Sequence, residues 1–460
     1  MRPIPSAKQM PDGTPARKTW HVGTLVYTSG GLAILFLWLL GGDFAWNMKE
    51  RSVTPVAQLM LRNLDASDFI VGLLIGSLPA ALGMILGPIV SVKSDRHRGR
   101  WGRRIPFLLV TIPFIVLAMA GLGFTPMLAD ALHAALGPDS PGHPFVGIGI
   151  FVVFWFVFEV FTVVANVIFG ALINDVVPHA LIGRFFGIFR AVGLIAGILF
   201  NYTAMGHAES HYLEIFLGAG LLYGLCFALM CFRVKEGEYP PVKEREKPGS
   251  PLKPVRAYFR ECYSNPYYRW LFVAATFGML ANAPVNSFSV FYAKSLGMDM
   301  DAYGKCIALT YGFSLVLSYP LGALADRLHP LRLGLWITLL YSVAMIWGGL
   351  VADNAKSFMV FFVAHGVISG SYMTATASLG QRLYPRMKFA QFASAWGLMF
   401  GLGYIVTTPL MGLFLDLVGH QYRYTFLAAG LVAALGVAAF AITYRRFLQL
   451  GGPTNYAAPE

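Results

Sequence analysis

Asp43, Lys49, Glu50 and Arg51 follow closely on the apolar run Ile34 to Leu40. If run and charges form one helix, the charges lie inside a membrane, where ionisable side chains are costly and mark function. Positions i, i+3/4 and i+7 share a helix face, which lines up Asp43, Asn47, Glu50 and Thr54, with Trp46 beside them. Glu159 follows Phe154-Trp155-Phe156-Val157-Phe158 and shares a face with Thr162 and Asn166. Asn282, Asn286 and Ser289 make a third stripe; His365, Ser369, Tyr372 and Thr376 make a fourth. Two chemistries fit these stripes. Asp43, Asn47, Glu50, Arg51, Asn166, Asn282 and Asn286 offer hydrogen bonds to a polyhydroxylated ligand, with Trp46, Tyr372 or Trp396 as stacking surfaces. An ionised carboxylate among apolar neighbours is costly, which suits Glu159 to taking up a proton on one side and releasing it on the other. Asp43, Glu50 and His365 are second candidates for that role. The plainer alternatives are hydrogen bonds between helices for the Ser, Thr and Asn residues, a bonded core residue for His365, and an ion pair with Lys49 or Arg51 for Glu159. Lys49 and Arg51 require neutralisation by Glu50, Asp43 or Glu159.

The elements that must position these residues are membrane helices. The 460-residue chain is 56% hydrophobic and only 13% charged, about half the charge of a soluble domain. Apolar runs reach the ~20 residues a helix needs to cross the hydrocarbon. Twelve helices are expected near 30–61, 68–92, 105–126, 145–174, 185–205, 212–232, 269–294, 302–325, 333–352, 357–383, 390–415 and 422–444. The first would be about 45 Å long; the alternative is a short span over about 24–42 followed by an external loop. The net charge of +12 resides in loops. It therefore marks topology rather than a nucleic-acid partner. Lys93, Arg96, Arg98, Arg100, Arg103 and Arg104 crowd the loop after helix 2, whereas 127–144 and 206–211 hold no Lys or Arg. Both termini are thus expected in the cytoplasm. The organisation is a tail (1–20, with Arg2, Lys8, Arg17 and Lys18), a six-helix bundle (21–232), a charged, Pro-containing linker (233–268), a second bundle (269–446) and a tail (447–460). The fold class is all-α, with two pseudo-symmetric six-helix bundles. Cys226, Cys231, Cys262 and Cys306 lack metal-ligand spacing, and no nucleotide loop or nucleophile motif points to an enzyme or a cofactor.

The halves also repeat weakly. Helix 2 runs into Ser94-Asp95-Arg96 and helix 8 into Ala325-Asp326-Arg327; helix 4 ends in Asn174-Asp175 and helix 10 in Gln381-Arg382. Internal repeats of this kind are a transporter signature. With these residues placed, the chain resembles the major facilitator superfamily. Within it, Gly87-Pro88-Ile89-Val90, Ser94-Asp95-Arg96 and Arg100-Trp101-Gly102-Arg103-Arg104-Ile105-Pro106-Phe107 look like the glycoside–pentoside–hexuronide cation symporters, and the sucrose transporter branch in particular. Phe44-Ala45-Trp46 with Thr54-Pro55, and Glu159 with Asp175, keep that branch's spacing. Gly170, Ser91 and the uncharged helix 8 core depart from it.

The resemblance implies alternating access by rocking halves, with helices 1, 4, 7 and 10 around a central cavity. It implies a gate in which Asp95, Arg96, Arg100, Arg103 and Arg104 work with Asp175, Arg184, Asp326 and Arg327. The expected function is proton- or sodium-coupled symport of a sugar by a functional monomer in the cell (inner or plasma) membrane. The alternatives are export of a lipophilic or pigment-like compound, and a non-transporting sensor or assembly factor on the same fold.

Overall fold

The computed structural model describes residues 19–239, 252–385 and 388–459. Most of the expected N-terminal tail, the linker core 240–251 and Arg386 lie outside them. Twelve helices among the described residues are long and apolar enough to span a membrane. Spans 1 to 6 are Ser29–Asn63, Asp68–Arg96, Ile105–Gly123, His143–Val176, Ile182–Thr203 and Tyr212–Arg233. Spans 7 to 12 are Pro266–Ser295, Met300–Leu328, Pro330–Val351, Ala355–Leu383, Gln391–Leu417 and Tyr424–Gln449.

Span 1 is one continuous helix of 35 residues, so Asp43 to Thr54 belong to it and the short-span alternative is excluded. Thr28 caps it, its hydroxyl accepting from the Gly31 amide at 3.2 Å. Pro55 within the span leaves the Arg51 carbonyl without its usual i+4 amide. Span 7 breaks between Leu280 and Ala283, with Pro284 in the first turn of the second segment. Span 2 contains a π-helical stretch, Gly72–Ser77.

Four elements depart from the expected pattern. A two-stranded hairpin, Thr19–Val22 paired with Leu25–Thr28, precedes span 1, so the chain is not strictly all-α. A helix Thr125–Leu136 occupies the expected loop after span 3; its Pro at the second position starts it, and Gly137 at φ 53° stops it. A helix Leu252–Tyr263 lies in the expected linker. Span 10 is interrupted between Thr376 and Leu379.

Packing repeats at an interval of six spans. Span 1 packs on 6 as 7 does on 12, 3 on 6 as 9 on 12, 3 on 4 as 9 on 10, and 2 on 4 as 8 on 10. Two cross-half seams obey the same interval, span 2 against 11 and span 8 against 5. Small residues let these backbones approach. A Cβ on Gly72 or Gly76 would fall within 2.4 Å of Thr408, and one on Gly304 within 2.2 Å of the Asn201 carbonyl.

Both seams are tight only away from the termini. Asp416 accepts from the amides of Asp68 and Phe69 at 2.9 and 3.0 Å. The Asp68 carboxylate meets His420 Nδ1 at 2.7 Å and the Tyr422 hydroxyl at 3.0 Å. Arg62 donates to the same hydroxyl at 2.8 Å, and Lys294 pairs with Glu209. Among the described residues, every hydrogen bond and ion pair between the halves lies at this far end or at mid-depth. At the terminal end the ion pairs among the described residues, such as Arg103–Asp175 and Arg382–Asp326, stay within one half, whereas the far end joins the two halves.

Candidate functional site

A cavity of about 770 Å³, within the range of small-molecule sites, lies between spans 1, 5, 7, 8 and 10. At 100° per residue, the charges of span 1 fall on different faces. Asn47, Glu50 and Thr54 face the cavity with Arg51 at their edge, and all four line it. Trp46 and Lys49 turn the other way, into the N-terminal bundle. Lys49 is fully buried, 3.9 Å over the Trp46 ring and 5.0 Å over Phe158. Its ammonium reaches out to Glu50 at 2.7 Å and to the Thr162 hydroxyl at 3.3 Å.

Arg51 donates to the Tyr311 hydroxyl of span 8 at 2.8 Å, while its buried Nε has no partner. Contrary to expectation, no carboxylate among the described residues pairs with it, because its face points across to the C-terminal half, whose cavity-lining residues are uncharged. Asp43 is buried and takes the Asn47 amide at 2.8 Å; its other oxygen has no partner. It pairs with neither cation, being six and eight residues away around the helix.

Glu159 is buried on span 4, interacting electrostatically with Glu50 and Lys49 without a direct ion pair. Glu159, Lys49 and Thr162 are buried and do not line the cavity, whereas Glu50, the partner of Lys49, does. From the C-terminal half the lining includes Asn282, Asn286 and Ser289 of span 7 and His365 and Ser369 of span 10. His365 uses both ring nitrogens, Nδ1 on the Tyr341 hydroxyl at 2.8 Å and Nε2 on the Asn286 amide oxygen at 3.1 Å. His365 thereby ties Asn286 of span 7 to Tyr341 of span 9 at the cavity wall.

Three expected stacking platforms lie elsewhere. Trp46 packs on Phe169, Tyr223 and Phe227. Tyr372 turns to Phe440 and the bare backbone of Gly278. Trp396 stacks on Phe400. Asn166 is exposed and outside the cavity lining. Helical spacing fixes which residues share a face but not which neighbouring span covers each of them: of the stripe His365, Ser369, Tyr372 and Thr376, His365 and Ser369 line the cavity while Tyr372 packs away from it.

Arg190 was missed. It lines the cavity from span 5 and, among the described residues, makes no hydrogen bond or ion pair. An Arg within the apolar helix, six residues after Arg184, was the available signal, masked by its nearness to the basic helix end. Tyr303, Thr310, Tyr311 and Ser314 bring span 8 into the wall; being uncharged, they carried no signal.

Of the expected gate residues, four meet at the terminal end of the first half. Asp175 accepts from Arg103 at 2.6 Å and Arg104 at 3.0 Å, and Asp95 pairs with Arg104. Burial alone would lower the Arg103 pKa; the hydrogen bonds and charge of Asp175 outweigh it and raise the value above that of free arginine. Glu236 joins them, accepting from the amides of Arg103, Arg104 and Ile105 at 3.0, 2.8 and 2.8 Å. It caps span 3 from about 130 residues away, a contact no local pattern announces. In the second half Asp326 has Arg382 as its one ion-pair partner among the described residues. Arg96, Arg100, Arg184 and Arg327 are exposed and enter neither cluster. Among the described residues one group of three metal-ligand types occurs, Asp68, Asp416 and His420; its atoms are already engaged in closing the far end.

A twelve-helix frame with six-span repetition and a mid-depth polar cavity defines a membrane transporter of the rocking-bundle class. The Major Facilitator Superfamily sequence model matches residues 35–305 and 271–449, and the chain belongs to that family. Human solute carrier family 45 member 4 is 27% identical over 226 residues, 46% of this chain and 28% of that protein. The rice sucrose transport protein SUT1 is 32% identical over 112 residues, 24% of this chain and 20% of that one. The chain thus spans under a third of the length of these relatives. Among solved structures, a bacterial homologue of the human lysosomal transporter Spinster superposes with a TM-score of 0.68 at 14% identity, over 94% of this chain and 100% of that one. A D-xylose–proton symporter gives 0.61 at 14%, over 90% and 97%.

Proposed function

We propose that the chain carries a small hydroxylated solute, a sugar or glycoside, across a cell membrane by alternating access, in symport with a proton. The carrying observation is the mid-depth cavity, whose wall offers amides and hydroxyls from both halves and is sealed at one end. The sugar-transporting relatives support the substrate class. Basic loops at the terminal end support a cytoplasmic placement for it, which makes this conformation inward-facing. Glu159 and its Lys49–Glu50 neighbours are the proposed coupling cluster: protonation of Glu159 changes the charge that Lys49 feels, and Lys49 transmits this through Glu50 to the cavity. Asp95, Arg103, Arg104 and Asp175 are proposed to hold the first half's gate in shape, with Asp326 and Arg382 as the second half's weaker counterpart. A lipophilic exporter would favour a wholly apolar wall, whereas here Phe189, Ile307, Phe362 and Met373 are interleaved with Asn47, Arg51, Asn282, Asn286 and Ser369.

Uptake into proteoliposomes of the purified protein, across a panel of mono- and disaccharides with and without a pH or sodium gradient, tests the reading. Gradient-dependent accumulation of one sugar is expected. Accumulation of none would overturn it.

A further inference from the structure

The cavity wall carries three charged side chains, Glu50, Arg51 and Arg190. Glu50 is engaged by Lys49 at 2.7 Å, so it is not free to neutralise the arginines. Among the described residues Arg51 is held only by the neutral Tyr311, through its hydroxyl and ring face, and keeps a buried Nε without a partner; Arg190 has no hydrogen-bond or ion-pair partner. Two unneutralised guanidinium groups on one wall of an intramembrane cavity are costly unless something anionic joins them.

Their placement suits a shared ligand. Spans 1 and 5 pack together in parallel, and a Cβ on Gly193 would meet the Asn47 side chain at 2.7 Å. Arg51 stands four residues beyond Asn47, and Arg190 three residues before Gly193. At 1.5 Å per residue their backbones bracket that contact by about 10 Å along the cavity axis, a gap two extended arginine side chains can close on one small group. Gly197, on the same face as Arg190, lies under the Tyr311 ring that holds Arg51. Guanidinium forks match a planar carboxylate through paired hydrogen bonds. The opposite wall, with Asn282, Asn286 and Ser369, is uncharged and suits hydroxyls.

We propose that the transported solute bears a carboxylate, gripped between Arg51 and Arg190, with its hydroxylated body against the C-terminal half: a sugar acid rather than a neutral sugar. This rests on the transport reading above.

The test is binding and uptake by the full chain in proteoliposomes, comparing D-glucuronate, D-galacturonate and D-gluconate with D-glucose and D-galactose, and with glucose 6-phosphate as competitor. At least one acid is expected to bind tenfold or more tightly than its neutral counterpart. Arg51→Gln and Arg190→Gln should each weaken that acid at least tenfold, while Arg190→Lys retains part of the affinity at an unchanged thermal midpoint. A neutral sugar accumulated with an affinity indifferent to Arg190→Gln would overturn the anion assignment and leave the transport reading standing. Stronger competition by glucose 6-phosphate than by every acid would overturn the carboxylate. Binding and transport of none of the probes would overturn both.

Discussion

In the first half of the chain the cavity wall carries Glu50, Arg51 and Arg190, with Lys49 and Glu159 packed behind it. In the second, the equivalent spans present Asn282, Asn286, His365 and Ser369. The same asymmetry recurs at the terminal end. Asp95, Arg103, Arg104, Asp175 and Glu236 form one network, whereas Asp326 has Arg382 as its one ion-pair partner among the described residues. Helix packing repeats faithfully at six spans, yet charge does not. Backbone symmetry fixes how the halves move, and leaves each half free to hold different chemistry. In the proposed cycle, ion coupling belongs to the first half and hydroxyl recognition to the second.

Removing the coupling carboxyl should have the largest effect. Glu159→Gln is expected to reduce gradient-driven accumulation to background while solute exchange across the membrane persists. Counterflow and accumulation measured on the same vesicles separate the two, and unchanged accumulation would end the coupling assignment. The C-terminal control, Asn286→Ala, should instead weaken solute affinity and leave the response to the gradient intact.

Next is the buried pair. Glu50→Gln strands the fully buried Lys49 without its counter-ion, at a cost of about 2 kcal/mol once the 40% exposure of Glu50 is allowed for. A lowered thermal midpoint in detergent checks this, and Lys49→Met with Glu50→Gln should restore part of it.

A smaller contrast separates the gate clusters. Asp175, 14% exposed, accepts from two arginines; Asp326 is 72% exposed with one partner. Asp175→Asn should cost about 1–2 kcal/mol, and Asp326→Asn should produce no measurable change in the same melting assay. Equal effects would break the comparison.

The smallest effect concerns His329, in the turn after span 8. It stacks on Phe447 at 4.6 Å and accepts from the Leu331 amide at 3.3 Å. Burial, then the nearby Arg382 charge, pushes its pKa down to about 4. A lowered folded value means the neutral ring stabilises the fold at and above the unfolded pKa of about 6.5. That stabilisation is lost as pH falls from there through about 4. Melting curves between pH 7 and 4 should show the loss, of about 1 kcal/mol for a half-exposed ring, and His329→Gln should flatten it.

The twelve spans were legible because apolar length is a strong local signal, and the stripe on span 1 because spacing fixes a helical face. Which neighbour covers a face is a tertiary fact. Trp46 and Tyr372 therefore read as cavity platforms while they pack into their own bundles. The helix Thr125–Leu136 hid because at 12 residues it is too short to read as a span and runs straight into the polar, Pro-containing stretch 137–144. Glu236 and the Asp68–Asp416–His420 closure escaped because their partners are over a hundred residues distant. Arg190 alone among the missed residues carried a usable sign, a charge within an apolar run.

The contact of Gly72 and Gly76 with Thr408 lends itself to use as a doorstop. A methyl group has no room there while the far end is shut, since the new carbon would fall 2.4 Å from Thr408. Once spans 2 and 11 part at that end, the same methyl meets only open space. Gly76→Ala would thus tax one conformation and spare the other, turning a single carbon atom into a wedge that biases which face of the membrane the cavity serves. Such a biased protein would be an antigen for raising binders selective for the conformation open at the far end.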